Sequence, residues 1–155
     1  MRSPQPGQFK PFNAARYRVG IVVAQFNADI TQALLQQAQS ALAQYKVLPQ
    51  NIQTFHVPGV VEIPAVLHAL LRAQTCDALI AIGCVIRGET DHYTYVTEIV
   101  CRGVNQVMAQ GMPVGFGILT TENHDQALAR LDAGATAAIA ALQTAKIVRA
   151  ITSQQ

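Results

Sequence analysis

The sequence has little charge. Only 13% of its 155 residues are Asp, Glu, Lys or Arg, against about 25% in an ordinary soluble protein. Half of the residues are hydrophobic, which excludes a disordered chain over most of the length. A surface with so few charges predicts burial between the subunits of a homo-oligomer. The net charge of +2 and the lack of a basic stripe with interleaved aromatic residues argue against nucleic acid as a partner.

Cysteines and long apolar runs are also scarce. Cys76, Cys84 and Cys101 are odd in number and form no C-x-x-C pair, which favours ordinary thiols in a reducing compartment over disulfides. Cys84 lies in an apolar run and is expected to pack rather than to react. No apolar run approaches the roughly 20 residues that cross a bilayer. Residues 1–10 are polar and lack the apolar centre of a signal peptide. We therefore expect a cytoplasmic protein that has no membrane partner.

Several common site patterns are missing as well. Histidine and cysteine pairs with metal-ligand spacing do not occur, so no metal site is predicted. The G-x-S-x-G and Walker A patterns are also absent. Nothing in the sequence thus supports a serine hydrolase or a P-loop nucleotide-binding protein.

Apolar runs alternate with amphipathic stretches along the chain. Strands are predicted at 19–26, 51–57, 77–85 and 114–119, and the apolar residues that follow each strand recur at helical spacing. Because the strands are apolar on both faces, this alternation predicts a single-domain three-layer α/β/α sandwich. Its core would be a four-stranded parallel, flavodoxin-like sheet. The domain would span 17–155, behind a flexible N-terminal arm formed by the Pro-rich polar residues 1–16.

Local signals mark where the helices begin. Asn27 or Asp29 is a candidate N-cap for the first helix. Asn123, with Gln126 three residues later, resembles a capping box for a short helix. A last Ala-rich helix is predicted at about 135–148, and Lys146 and Arg149 are interpreted as its solvated charges.

One strand end combines a turn, a helix start and a histidine. Residues 83–92, GCVIRGETDH, leave an apolar strand, turn at Gly88 and enter a helix with His92 in its first turn. Free N–H groups at a helix start attract anions and disfavour added positive charge. A histidine there is expected to stay neutral and to accept a proton. Since ligands of parallel sheets bind beyond the carboxyl ends of the strands, this segment predicts an enzyme that acts on a phosphorylated small molecule.

Other residues near strand ends are weaker candidates. Phe26 is suited either to stacking on a planar ring or to core packing. Arg130 is suited either to pairing with phosphate or to a solvated surface. His56 and His124 border the carboxyl ends of the predicted strands, whereas His68 lies within a helix and is interpreted as a structural or surface residue.

At these strand ends the chain resembles the lumazine synthase family, which catalyses the penultimate step of riboflavin biosynthesis. The matching runs are AQFN at 24–27, VPGVVEIP at 57–64, GCVIRGETDHYTYV at 83–96, PVGFGILTTEN at 113–123 and QALAR at 126–130. They lie in the family's order and at its spacing over about residues 24–130. Together, the VPGxxEIP and VIRGxTxH runs are highly specific.

The resemblance implies a transferase that condenses 5-amino-6-(D-ribitylamino)uracil with 3,4-dihydroxy-2-butanone 4-phosphate. The products would be 6,7-dimethyl-8-ribityllumazine, phosphate and water. This chemistry needs no cofactor, because no electron sink, metal or redox group takes part. The implied partners are the two substrates, further copies of the chain in a pentamer-based homo-oligomer, and a riboflavin synthase.

The resemblance also implies the role of particular residues. By position in the motifs, Phe26 would stack on the pyrimidine and His92 would shuttle protons. Phe116 would close the pocket from an adjacent subunit, with Arg130 as the cationic partner of the phosphate. The backbone from Gly88 to Thr90 would help to hold the phosphate. The other substrate-binding residues that the resemblance implies are Asn27, Val60, Val61, Glu62, Val85, Ile86 and Glu89.

The sequence departs from the family pattern in two places. Val61 stands where the family commonly has an aromatic residue, which predicts weaker ring stacking on that side. The family follows its arginine with a Gly- and Lys-rich segment, whereas residues 131–138, LDAGATAA, contain no lysine, and the connection is shorter. Phosphate binding would then rest on Arg130 and backbone amides, with a lower affinity for the phosphorylated substrate. Pentamer, decamer and sixty-subunit shell stay open.

Three other functions stay open. An archaeal-type riboflavin synthase on the same scaffold would use two lumazine molecules and no phosphate. A non-catalytic flavin or lumazine carrier would keep the pocket but lack turnover. A structural shell protein would need no polar strand ends. Inhibition by phosphate separates the synthase from the carrier, because only the synthase needs an anion site.

Overall fold

The computed structural model describes residue 5 and residues 7–154. The strands are Val19–Ala24 (β1), Ile52–Val57 (β2), Ala78–Ile86 (β3) and Val114–Thr121 (β4); the helices are Ala28–Gln44 (α1), Ile63–Ala73 (α2), His92–Met108 (α3), His124–Leu128 (α4) and Ala133–Thr152 (α5). The strands form one parallel sheet in the order β2-β1-β3-β4. None of the described helices is long and apolar enough to cross a membrane.

Helices cover both faces of this sheet. Successive side chains of β1 point to opposite faces, and both sets are buried. Ile21 and Val23 pack in one apolar cluster with α1 and α5, whereas Val22 and Ala24 pack in a second cluster with α2 and α3. The predicted three-layer α/β/α sandwich with a four-stranded parallel sheet is therefore confirmed.

The expectation that every strand is buried on both faces is wrong for β2. Val57 is its one buried residue, while Gln53 and His56 are exposed. The reason is position, because β2 lies at an edge of the sheet and pairs with β1 alone. The predicted strand ends also shift slightly, since β1 ends at Ala24 and β3 runs on to Ile86.

The segment before β1 packs on α1 and α5. The N–H of Ala14 donates to the carbonyl of Tyr45 at 2.7 Å. The ring of Phe12 meets those of Tyr17 and Tyr45 edge-on, with centroids 5.6 and 5.3 Å apart. Residues 1–4 and 6 of the predicted flexible arm lie outside the described residues, as does residue 155, so the flexible arm and the domain limits stay predictions.

Candidate active site

A cleft of about 380 Å³ opens at the carboxyl ends of β1, β2 and β3. Three chain segments form its walls: the residues after β1, the turn after β2, and the end of β3 with the start of α3. The lining residues are Phe26, Asn27, Gly59, Val60, Val61, Glu62, Cys84, Val85, Ile86, His92 and Val96. A largely apolar cleft with a few polar groups is typical of a small-molecule site.

The first wall is the short link between β1 and α1. The side chain of Phe26 is 71% exposed, and its ring lies beside Gly59, where a Cβ would come within 3.3 Å of it. Asn27 adopts the left-handed conformation, with φ 55°, which asparagine tolerates better than most residues. Its amide donates to the carbonyl of Cys84 at 2.9 Å. Asn27 thus stands at the predicted N-cap position, but its side chain ties α1 to β3 instead of capping the helix.

The second wall is the turn that follows β2. A carboxylate oxygen of Glu62 accepts the N–H of Gly59 at 2.9 Å and so stabilises the short 3-10 turn at Val60–Glu62. Val60 is buried close to Gly83 of β3, where any Cβ would overlap its side chain. Val61 is 38% exposed and lines the cleft from this turn.

The third wall is the end of β3 and the start of α3. His92 is the first residue of α3 and so lies in its first turn, as predicted. Its backbone N–H lies 3.4 Å from the hydroxyl of Thr90. Arg87 precedes this loop and is held on two sides. Its guanidinium pairs with Glu122 at 3.0 Å and lies 4.4 Å from the ring centroid of Tyr93. These contacts position the loop from Gly88 to Thr90 and neutralise the charge of Arg87 locally.

Cys84 forms part of the floor of the cleft. Its side chain is buried. Burial raises the pKa of the Cys84 thiol to about 11, and the nearby charge of Asp29 adds to the shift. The thiol is therefore protonated at neutral pH. A protonated, buried thiol is a poor nucleophile, which agrees with the expectation that Cys84 packs rather than reacts.

Most of the residues predicted for the site lie around this one cleft. Those in its lining are Phe26, Asn27, Val60, Val61, Glu62, Val85, Ile86 and His92. Gly88, Glu89 and Thr90 are exposed in the loop between β3 and α3. Phe116, on β4, and Arg130, after α4, lie outside the cleft that the described residues of one chain form.

Phe116 and Arg130 are both exposed. Phe116 retains 44% exposure although it lies within β4. The guanidinium of Arg130 donates to the carbonyl of Gln126 at 2.7 Å and otherwise faces outward. An exposed aromatic ring and an exposed guanidinium are available to a second molecule.

Three lining residues were not predicted from the sequence: Gly59, Cys84 and Val96. Gly59 sits in the VPG run, and Val96 lies one helical turn after His92, so helical spacing was a usable signal for it. Of the other histidines, His56 is exposed on β2 and His68 is exposed on α2. Among the described residues, no group of three or more His, Cys, Asp or Glu side chains is arranged to hold a metal ion.

Comparison with known families gives a match over most of the chain. The model of a family described as 6,7-dimethyl-8-ribityllumazine synthase matches residues 16–149 of the 155-residue chain. The matched range includes all three walls of the cleft, together with Phe116 and Arg130.

Proposed function

The chain belongs to the 6,7-dimethyl-8-ribityllumazine synthase family of riboflavin biosynthesis, and we propose that it catalyses that family's condensation. The substrates would be 5-amino-6-(D-ribitylamino)uracil and 3,4-dihydroxy-2-butanone 4-phosphate, and the products 6,7-dimethyl-8-ribityllumazine, phosphate and water. The observation that carries the proposal is the apolar cleft at the carboxyl edge of the sheet, in which the exposed ring of Phe26 and the first residue of α3, His92, line one space.

The aminouracil would lie against the exposed face of Phe26. Offset stacking of planar rings contributes about 0.5–1.5 kcal/mol beyond the area that it buries. Val60 and Val61 would contact the opposite side of the pyrimidine, with less stacking than an aromatic residue at position 61 would allow. One oxygen of Glu62 accepts the N–H of Gly59, which leaves the other oxygen for a ribityl hydroxyl.

The phosphate would bind at the start of α3. Backbone N–H groups at a helix start favour anions, and the loop from Gly88 to Thr90 leads directly into that start. We propose that Phe116 and Arg130 complete the pocket from an adjacent subunit. Their exposure, and their position outside the chain's own cleft, support this assignment.

Residues 131–138 bring no lysine to this anion site. Arg87 is a poorer candidate cation than Arg130, because Nε of its guanidinium pairs with Glu122 at 3.0 Å. We therefore expect affinity for the phosphorylated substrate to depend strongly on Arg130.

The proposed chemistry uses positioning and one proton carrier. The primary amine of the aminouracil attacks the ketone, and His92 accepts the ammonium proton that forms. His92 returns a proton to the hydroxyl of the adduct, which leaves as water and gives the imine. The carbon that bears the remaining hydroxyl then loses a proton as phosphate leaves its neighbour, and the resulting enol tautomerises to a methyl ketone. The second amine attacks this ketone, and a second water leaves as the ring closes. Alignment of two reactants lowers a barrier by about 7–11 kcal/mol, so alignment would supply the larger part of the acceleration.

We propose a pentamer-based homo-oligomer in the cytoplasm, with a riboflavin synthase as a further partner. The low charge content and the exposed apolar side chains of Tyr95, Ile99 and Phe116 support association between copies. Three free cysteines support a reducing compartment. Light scattering of the purified protein is expected to give a mass that is a multiple of five chains.

The proposal is tested by mixing the purified protein with both substrates and following lumazine absorbance against the uncatalysed rate. We expect a rate well above background, competitive inhibition by inorganic phosphate, and a large loss in Arg130→Ala. Arg72→Ala is the matched control, because Arg72 is an exposed arginine at the end of α2, outside the described cleft. The control is expected to keep the parent rate.

A carrier is the second candidate, and the absence of lysine from residues 131–138 is the observation that favours it. A carrier would bind the aminouracil or the lumazine in the same cleft without turnover. A rate equal to background, with either compound bound, would therefore establish the carrier and reject the synthase.

A further inference from the structure

Asp29 and His124 form a contact that joins two distant parts of the chain. Nε2 of His124 lies 2.6 Å from a carboxylate oxygen of Asp29, across a sequence separation of 95 residues. Asp29 lies in the first turn of α1, and His124 is the first residue of α4. The contact therefore connects the start of α1 to the start of α4.

The short helix α4 is held by one buried side chain, by hydrogen bonds within its own corner and by the contact with Asp29. It is five residues long, and isolated helices of that length are not stable in water. Ala127 is its one buried residue. The side chain of Asn123 accepts the N–H of Gln126 at 2.9 Å, and the Gln126 side chain accepts the N–H of Glu122 at 2.9 Å. These bonds shape the corner locally, whereas the Asp29–His124 contact anchors it to another helix.

Arg130 is attached to the end of this helix. Its backbone N–H donates to the carbonyl of Ala127 at 3.0 Å, and its guanidinium donates to the carbonyl of Gln126 at 2.7 Å. The guanidinium must therefore follow any rotation of α4.

The other partner in the contact, Asp29, lies close to the cleft. Asp29 follows Asn27 by two residues, and the Asn27 amide is bonded to the carbonyl of Cys84 in the cleft wall. This bond holds the start of α1, and hence Asp29, against β3. A continuous set of contacts thus runs from the cleft wall through Asp29 and His124 to Arg130.

The ionisation state of Asp29 favours its contact with His124. The hydrogen bond from His124 is the main cause that lowers the pKa of Asp29, with help from the backbone N–H of Ile30. Asp29 is therefore ionised throughout the neutral range, and its carboxylate accepts a hydrogen bond from the Nε2–H of His124. Both side chains are about half exposed, 60% for Asp29 and 49% for His124. Exposed pairs contribute little to global stability, so the consequence of this contact is local.

We propose that Asp29 and His124 are a positioning pair that orients α4 and thereby places the Arg130 guanidinium for the phosphorylated substrate. The pair touches no substrate and acts through Arg130. This inference rests on the proposed function, because it concerns the anion site of that reaction.

The test compares His124→Ala with the parent in steady-state kinetics. We expect KM for the butanone phosphate and Ki for inorganic phosphate to rise about two- to fivefold, the range for loss of an exposed ion pair. The kcat is expected to change less than twofold, and KM for the aminouracil is expected to stay the same. His124→Gln retains an N–H donor and should restore part of the loss. Asp125→Ala, an exposed change on the same helix, is the control.

The decisive comparison is made in the Arg130→Ala background. If the pair acts through Arg130, His124→Ala has no further effect there, because interacting sites are not additive. A full additional loss in that background would overturn the inference. If His124→Ala fails to fold or assemble, as judged by Tm and mass, Asp29→Ala breaks the same contact from the other side.

Different results would overturn the positioning pair and the synthase activity. An active parent whose His124→Ala and Asp29→Ala variants both keep the parent phosphate affinity overturns the positioning pair alone. A parent without synthase activity overturns the proposed function, and the positioning pair with it.

Discussion

His92 is the side chain on which the proposed chemistry depends most directly. It opens α3 beside the loop that would hold the phosphate, and its side chain lines the cleft. Its position at a helix start follows from the sequence alone, because Gly88 and the polar residues after it end the strand and a helical pattern begins. A base placed there can transfer protons, but it does not by itself bring two substrates together.

We expect His92→Ala to slow turnover without abolishing it. Proton transfer by a side chain contributes about 10²–10⁴-fold, so kcat should fall by about that factor. Alignment of the substrates is retained in the variant, and its rate should stay above the uncatalysed rate. Single-turnover formation of lumazine measures this directly.

His68→Ala is the matched control for that variant, because His68 is exposed on α2 and outside the described cleft. It is expected to keep the parent kcat. Complete loss of activity in a folded, assembled His92→Ala protein would contradict the claim that substrate alignment supplies most of the acceleration.

Helix α5 lies close to its neighbours because glycines stand at the contacts. A Cβ at Gly115 of β4 would overlap the carbonyl of Ala137. A Cβ at Gly134 of α5 would overlap the carbonyl of Leu34 on α1. In both cases the overlapping atom belongs to the backbone, which cannot rotate away as a side chain does. The layer formed by α1 and α5 therefore depends on these two glycines.

We expect Gly115→Ala to destabilise the protein by about 1–3 kcal/mol, the range for overpacking in a core. Thermal unfolding would show this as a Tm lower by about 3–10 °C. Gly88→Ala is the control, because a Cβ at Gly88 meets no atom within 4 Å. Its Tm should equal that of the parent. Equal Tm values for Gly115→Ala and Gly88→Ala would show that α5 can shift away from the sheet.

An ion-pair cluster lies at the amino ends of the strands, opposite the cleft. It joins the start of β1, the start of β3 and the end of α5. Asp77 accepts the backbone N–H of Arg18 at 2.8 Å and its guanidinium at 3.2 Å. Arg149 reaches the same carboxylate at 3.4 Å and lies 3.9 Å from the ring centroid of Tyr17. Burial alone raises the pKa of Asp77, but the hydrogen bonds from Arg18, with the charges of Arg18 and Arg149, bring it below its ordinary value.

This cluster predicts a loss of stability in acid. Because the pKa of Asp77 is lower in the folded state, the stabilisation is present above the unfolded value, about 3.8, and is lost as the pH falls through the folded value. We expect Asp77→Asn to lower Tm at pH 7 by about 3–6 °C, since hydrogen bonds to a charged group contribute more than neutral ones.

The difference in Tm between the parent and Asp77→Asn is expected to shrink as the pH falls below about 3.8, because Asp77 of the unfolded chain takes up a proton there while the folded carboxylate stays ionised to lower pH. Asp125→Asn, an exposed change on α4, should leave Tm and its pH dependence as in the parent. A Tm difference for Asp77→Asn that is constant from pH 7 to pH 3 would contradict this account.

Periodicity and local motifs were enough to predict the order of the strands and helices and the parallel sheet. The apolar run before Gly88 predicted β3, and the pattern after it predicted a helix with His92 in its first turn; α3 begins at His92 itself. The rule that ligands bind at the carboxyl edge, together with the family motifs, predicted residues from each wall of the cleft. These features depend on residues that are close together in the chain, so they can be predicted from sequence patterns.

The pairings between distant residues were decided by tertiary structure alone. Nothing near Asp29 in the sequence indicates His124. Lys146 and Arg149 are exposed, as interpreted from the sequence, but the contacts that they make did not follow from it. Lys146 lies 4.9 Å from the ring centroid of Phe12, and Arg149 contacts Asp77 and Tyr17. The position of β2 at the sheet edge, which leaves one of its faces exposed, was likewise decided by tertiary structure. Each of these features depends on which elements become neighbours in space, and residue type and spacing along one element do not specify that.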